Sequence, residues 1–265
     1  MYRVERKYLC SDYDILILKQ RLSAVLPTDS HQERDCYRVC SLYLDTYDDE
    51  CFYDNEDGVD DRQKYRIRTY PGSDEKLNFE IKEKKNGKTK KEVFPVTAAE
   101  CEGLLRGEPL AFAPGEGEDK PGGRQLQIME PNRQRMIGNH GAGQTAGARN
   151  RAALLTQTRL LRPVVVVDYE RSAFVYPVGN VRITFDRNIA ASGRVEDFLA
   201  GEMPLLPVLP EHMHLMEVKY DELLPDFIAV LLDMGKLRQV TFSKYSICRQ
   251  AVENGRYGFM KKGIF

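Results

Sequence analysis

Five stretches of this chain alternate residue by residue between apolar and charged side chains, and that period of two constrains the fold more than any other feature. In 64–70, Tyr65 and Ile67 share one face while Lys64, Arg66 and Arg68 share the other. In 77–84, Leu77, Phe79 and Ile81 oppose Asn78, Glu80, Lys82 and Lys84, and Val181, Ile183 and Phe185 oppose Arg182, Thr184 and Asp186 in the same way. Leu215, Glu217 and Lys219 alternate with Met216, Val218 and Tyr220, and Arg3, Glu5 and Lys7 share a face near the N-terminus. Helical signals lie between these strands. Ser11 with Asp14, and Thr97 with Glu100, have the spacing of capping boxes. Pro225 sits where a first helical turn tolerates it, and Ser243 opens a last helix running to about 254. Strands with helices inserted between them predict an α+β domain built on an antiparallel sheet or barrel.

With 265 residues, 42% of them hydrophobic, the chain can fill a core. Its 39 Lys and Arg nearly cancel 40 Asp and Glu, for a net charge of -1. No bulk field then draws the protein to nucleic acid or a membrane, and a polyanion site must come from local segregation of charge. No apolar run approaches the roughly 20 residues of a membrane-spanning helix, and 1–7 lack the apolar stretch of a signal peptide. A soluble, cytoplasmic protein is expected. The six cysteines form no Cys-x-x-Cys pair and read as reduced thiols, and His212 with His214 reads as a polar loop entering a strand rather than a metal pair. One region departs from the pattern: from 114 to 162 the chain is rich in Gly, Ala, Gln and Arg, with no Asp or Glu from 131 to 167. That composition predicts a flexible segment within a single domain spanning 1–265.

Period alone does not separate a wet outer face from a wet interior. The content of the charged faces is more telling, because Arg66 with Arg68, Glu80 with Lys82, Tyr169 with Arg171, and Glu217 with Lys219 are bulky, mostly cationic pairs with isolated carboxylates among them. Turned inward, such faces would line a cationic tunnel. Guanidinium forks and ammonium groups fit phosphoryl oxygens, and the acids could hold a bridging divalent metal.

Eight motifs occur in order: Glu5-Arg6-Lys7-Tyr8, Ser41-Leu42-Tyr43-Leu44-Asp45-Thr46, Lys64-Tyr65-Arg66-Ile67-Arg68, Phe79-Glu80-Ile81-Lys82, Tyr169-Glu170-Arg171, Arg182-Ile183-Thr184-Phe185-Asp186, Glu217-Val218-Lys219-Tyr220 and Ser243-Lys244-Tyr245. Together they resemble the VTC domain, the polyphosphate polymerase branch of the triphosphate tunnel metalloenzymes, or CYTH-like proteins. The likeness covers about 1–107 and 163–250. It implies an eight-stranded antiparallel β-barrel tunnel that moves the γ-phosphoryl group of ATP onto polyphosphate with Mn²⁺ or Mg²⁺. Carried over by motif, Lys7, Arg66, Arg68, Lys82, Arg171, Arg182 and Lys244 would act on the phosphates, with Lys91, Tyr169, Ser243 and Lys219 binding substrate. Glu217, Glu5 and Glu80 would be the metal ligands. Each has a plainer alternative: the arginines as surface cations, Glu80 and Glu217 as partners for nearby lysines, Lys91 as the basic tip of an Asn86-Gly87 hairpin, Ser243 as an N-cap.

Two positions depart from the superfamily pattern. Hydrolytic members begin with Glu-x-Glu-x-Lys, whereas this chain has Arg3-Val4-Glu5-Arg6-Lys7, which moves the expectation from hydrolysis towards transfer. Thr241 stands where polymerases often carry a cation. The implied partners are ATP and polyphosphate, with no nucleic acid and no direct membrane insertion. Eukaryotic relatives act inside membrane complexes, so a membrane link would run through a partner protein. A metal-dependent triphosphatase and a non-catalytic polyphosphate-binding module are the alternatives.

Overall fold

A computed structural model describes residues 3–30, 32, 34–72, 76–113 and 142–257. The alternating stretches form strands. In chain order these are β1 (Val4–Ser11), β2 (Tyr37–Asp45), β3 (Arg62–Thr69), β4 (Leu77–Lys85), β5 (Lys88–Val96), β6 (Arg162–Tyr176), β7 (Val181–Ser192), the two-residue β8 (Leu206–Pro207) and β9 (Met213–Tyr220). They make one antiparallel sheet in the order β1-β9-β7-β6-β2-β3-β4-β5, with β8 against β7. Between β4 and β5 the chain turns at Asn86 and Gly87, with φ of 50° and 71°, the left-handed pair that a two-residue hairpin requires.

The sheet curls until its edges meet. The amides of Arg3 and Thr89 donate to each other's carbonyls at 2.9 and 3.0 Å. This isolated bridge is the join between β1 and β5. The expected α+β fold on an antiparallel sheet is present; among the described residues the sheet has nine strands, the ninth being the two-residue β8, and the ladder does not run continuously around. Pro95 on β5 is consistent with an edge, since it has no N–H to give to a further strand.

The apolar faces point outward, under helices. Ile67, Phe79 and Ile81 are at most 1% exposed and belong to a core shared with α3 (Ala98–Leu105), α4 (Ala142–Thr158) and α6 (Lys244–Tyr257). A second core sets Leu18 and Leu22 of α1 (Asp12–Ser23) and Ile228 of α5 (Asp226–Leu232) against Ile183, Phe185, Met216 and Val218. With oil on the outside of the sheet, the charged faces are the interior ones. Both capping boxes form: Ser11 Oγ accepts from the Asp14 amide at 3.2 Å while the Asp14 carboxylate accepts from the Ser11 amide at 2.9 Å, and Thr97 pairs with Glu100 likewise. His212 and His214 each lie 2.8 Å from an Asp12 carboxylate oxygen, tying the start of β9 to α1.

The flexible segment expected over 114–162 is corrected in its second part, and 114–141 lies outside the described residues. Residues 142–158 are α4. Ala148, Ala152 and Ala153 are buried in the first core, and Arg151 pairs with Glu83 of β4 and Glu92 of β5 at 3.4 and 3.2 Å. Alanine is the best helix former, and small side chains let the helix approach the sheet closely. Of the described helices, none is long and apolar enough to cross a membrane.

Candidate functional site

The inward faces converge on one cavity. Its cations outnumber its carboxylates eight to two. β3 supplies Lys64, Arg66 and Arg68, which share a face because they are two residues apart; β1 supplies Glu5 and Lys7, β4 Lys82, β6 Tyr169 and Arg171, β9 Glu217 and Lys219, and the start of α6 Lys244 and Tyr245.

One wall is built of guanidinium groups, each clamped from behind. Arg171 donates Nε and Nη2 to the Asp186 carboxylate at 2.6 and 2.7 Å, and Asp186 is fully buried. Arg66 donates Nε to Glu80 at 2.7 Å and Nη1 to the Tyr43 hydroxyl at 2.9 Å. Arg68 donates to Ser41 Oγ at 3.2 Å and to the Tyr169 hydroxyl at 3.1 Å. Burial works against these charges, but Asp186 and Glu80 outweigh it, and the pKa values of Arg171 and Arg66 lie well above the ordinary arginine value. Bidentate clamping leaves the forks charged and fixed in direction.

Beside it, and touching it where Arg171 comes within 3.8 Å of Glu217, is a second wall of ammonium groups around Glu5 and Glu217. Lys7 reaches Glu5 at 3.2 Å and Glu217 at 4.0 Å, while Lys219 reaches Glu217 at 2.9 Å and Glu5 at 4.0 Å, a square of alternating charge. Lys82 donates to Glu5 at 2.8 Å, and Lys244 donates to Glu217 and Asp186 at 2.6 Å each. Burial raises the pKa of both glutamates, but the surrounding lysines outweigh it and hold them well below the usual carboxylate range. The lysines diverge. Burial, aided by repulsion from Lys7 and Lys219 and opposed by Glu5, brings Lys82 down to about 8. Burial, then Lys7 and Lys82, push Lys64 well below its ordinary value. Lys244 moves the other way, because Asp186 and Glu217 outweigh its burial.

Eleven of the fourteen sequence-nominated residues line this cavity: Lys7, Arg66, Arg68, Lys82, Arg171, Lys244, Tyr169, Ser243, Lys219, Glu217 and Glu5. Three lie apart from it. Arg182 pairs with Asp29 and donates to the Tyr37 hydroxyl at 3.0 Å. Lys91, its side chain 49% exposed, pairs with Glu80 at 3.0 Å. Glu80 is 3% exposed, with Arg66, Arg68 and Lys91 around its oxygens, so it fixes cations. Ser243 caps α6, accepting from the Ser246 amide at 3.2 Å, and also accepts from Lys64 Nζ at 2.7 Å. Sequence reasoning missed Lys64, Tyr43 and Tyr245. Lys64 was visible on the same strand face as Arg66 and Arg68. The two tyrosines gave no such signal, because their role is contact: their rings stack at 5.2 Å, and the Tyr245 hydroxyl donates to Asp45.

The donor set suits a hard divalent cation. Glu5 and Glu217 are ionised carboxylates on one cavity wall, and Mg²⁺-type sites commonly use one or two carboxylates completed by water and substrate phosphate. Among the described residues no three His, Cys, Asp or Glu side chains cluster as a self-sufficient metal cage.

The VTC domain family matches residues 2–253. Solved structures similar to this chain include a candidate adenylate cyclase from Bacillus halodurans, at 13% identity and a TM-score of 0.46 over 91% of this chain and 93% of that one. Another, from Vibrio parahaemolyticus and also described as a candidate adenylate cyclase, shows 11% identity and a TM-score of 0.46, covering 93% and 97%. A Hippeastrum protein described as a candidate adenylyl cyclase with a dominant triphosphatase activity shows 11% identity and a TM-score of 0.47, covering 94% and 95%. Among curated proteins no match was found.

Proposed function

The chain belongs to the VTC domain family, and from that premise we propose that it is a polyphosphate polymerase, transferring the γ-phosphoryl group of ATP to the end of a polyphosphate chain. The observation that carries this reading is the cavity: eight cations against two carboxylates, aimed from five strands and a helix start into one space. In the transfer, a terminal oxygen of the polyphosphate forms a bond to the γ-phosphorus as the bond to the β-phosphate oxygen breaks, and ADP leaves. Negative charge is redistributed over the phosphoryl oxygens without a covalent enzyme intermediate.

Arg66, Arg68 and Arg171 present fixed donors to those oxygens, and the carboxylates behind Arg66 and Arg171 keep the forks from turning as charge moves. Lys82, Lys219 and Lys7 are the mobile counter-charges, and they exchange Glu5 and Glu217 for phosphate when substrate enters. Glu217 and Glu5 would hold Mn²⁺ or Mg²⁺, which would supply Lewis-acid neutralisation of phosphate charge. Lys244 at the start of α6 adds an ammonium group where free backbone amides already favour an anion. Transfer is favoured over hydrolysis at the start of the chain: Arg3, just before β1, pairs with Asp221 at 3.2 Å and lies outside the cavity lining, so this position adds no carboxylate to Glu5 and Glu217 that could orient water. The same reading assigns a cytoplasmic site of action.

The test is to incubate the purified protein with ATP and Mn²⁺, resolve products on a gel stained for polyphosphate, and assay orthophosphate in parallel. The proposal expects a polymer ladder; orthophosphate alone would make the protein a triphosphatase, and neither product would leave a binding module.

A further inference from the structure

Three tyrosines line the inner cavity: Tyr43 of β2, Tyr169 of β6 and Tyr245 of α6. A phenol has one proton to give and an oxygen that can accept, so each has a definite place for its proton. Tyr245 has spent its own on Asp45, a fully buried carboxylate that also accepts the amides of Thr46, Cys51 and Phe52 at 2.8, 2.9 and 3.0 Å. Tyr169, a substrate contact expected from the motifs, accepts from Arg68 at 3.1 Å. Tyr43 stands to Arg66 in the same relation. Its oxygen accepts from Arg66 Nη1 at 2.9 Å, and among the described residues that is the only hydrogen bond its hydroxyl makes. The side chain is buried on the cavity wall, so the acceptor for its proton must come from the cavity itself.

The hydroxyl is held in one direction. Tyr43 and Arg66 are register partners on neighbouring strands, so phenol and guanidinium lie side by side on the inward face. The Tyr43 ring stacks on Tyr245 at 5.2 Å and 23°, and the bond to Asp45 pins Tyr245 in turn. The β2–β6 ladder shifts register between Tyr43 and Leu44, an irregularity of the kind that re-aims a side chain. Burial raises the pKa of the hydroxyl, but Arg66, then Arg68 of the same strand and Lys244 of α6, outweigh it. An arginine donating to the phenol oxygen also polarises the O–H and makes it a stronger donor.

We infer that Tyr43 is a further substrate-contact residue: while its oxygen accepts from Arg66, its O–H donates a hydrogen bond to an oxygen of the phosphoryl group that Arg66 faces. The phenol keeps its proton throughout, so the contact adds a directed, neutral donor beside the charged forks. Tyr245 and Asp45 act through it as positioning residues. This rests on the proposal that the cavity transfers a phosphoryl group from ATP. If Tyr43 only held Arg66, its oxygen would matter and its proton would not.

The experiment separates the oxygen from the proton. Y43F removes both and keeps the stack, and it should lower kcat for transfer about tenfold or more, the scale of one lost hydrogen bond to a charged group. Y245F, which frees the stack from Asp45, should cost less. A series of fluorinated tyrosines of rising acidity in place of Tyr43 keeps the oxygen; once ionised, the phenolate accepts from Arg66 more strongly but has no proton to donate. Phenolate absorbance reports the ionisation, and rates are compared with wild type at the same pH, so that the titration of Lys82, common to both, cancels. Where the phenolate has formed, the rate should drop to the Y43F level. Wild-type rates with the phenolate formed, or from Y43F, would overturn the inference. If the wild-type protein releases orthophosphate instead of polymer, the polymerase reading fails and the same comparison is made on that hydrolysis; if it only binds, on tripolyphosphate affinity. A wild-type protein that does not bind tripolyphosphate overturns the phosphate reading itself.

Discussion

The two walls of the inner cavity carry the same sign of charge by different physical means. On β3 and β6, Arg66 and Arg171 are locked by buried carboxylates that raise their pKa values. On β4, and at Lys64 on β3, ammonium groups are crowded and buried enough that their pKa values fall, to about 8 for Lys82. The arginine wall is pre-organised and insensitive to pH in the physiological range. The lysine wall is frustrated until an anion arrives, and part of the binding energy is the relief of that repulsion. Under the proposed function, a site that holds a growing polyanion and still lets it move would gain from both: fixed donors would aim the reacting phosphoryl, and adjustable ones would follow the chain.

The largest effect should come from breaking the rigid wall. R171A or R66A should lower transfer about 10²–10³-fold in a steady-state assay, the range seen when one fixed transition-state donor is removed. R171K should not rescue it, because an ammonium group cannot make the two-point contact with Asp186. Retention of wild-type rates by R171K would mean that charge alone matters and that the two walls are equivalent. Next in size, E217Q should raise the Mn²⁺ or Mg²⁺ concentration needed for half-maximal activity by about 10–100-fold. An unchanged metal titration would remove Glu217 from the metal site.

The lysine wall is sharpened by pH. Lys82 titrates near 8 in the unliganded protein, below the ordinary lysine value. An anion favours its charged form, so phosphate binding takes up a proton near that pH, and affinity falls as pH rises through about 8. The same affinity profile in K82M should lose this step, while R66A should keep it at lower overall affinity. The smallest effect belongs to neither wall: S11A removes the cap of α1 and should cost about 1 kcal/mol of stability in chemical denaturation, with tripolyphosphate affinity unchanged.

Much of this arrangement was legible in the sequence because a strand writes its two faces in alternate residues. Tyr65 and Ile67 against Arg66 and Arg68 is enough to place a strand, and the bulk of the charged faces was enough to suggest an interior. What the pattern could not give was which long side chains reach the middle. Arg182 shares the inward face of β7, yet Asp29, from a loop with no periodic signal, draws it aside. Glu80 sits on the inward face of β4 among three cations, and only their positions show that its oxygens are committed. α4 was obscured by composition: its glycines and arginines resemble a flexible stretch, whereas the spacing of Ala148 and Ala152 marks a packed helical face and the arginines find Glu83, Glu92 and Glu100. The motifs implied a barrel, but periodicity did not say how far the two edges curl, and they meet only at the isolated Arg3–Thr89 bridge.

The most direct test of the two-wall account is calorimetric titration of the protein with tripolyphosphate at pH 8 in two buffers of different ionisation enthalpy. The account predicts binding with net proton uptake, to which Lys82 contributes about half a proton per site and which is reduced by that share in K82M. Binding with no proton uptake, or no binding at all, would contradict it.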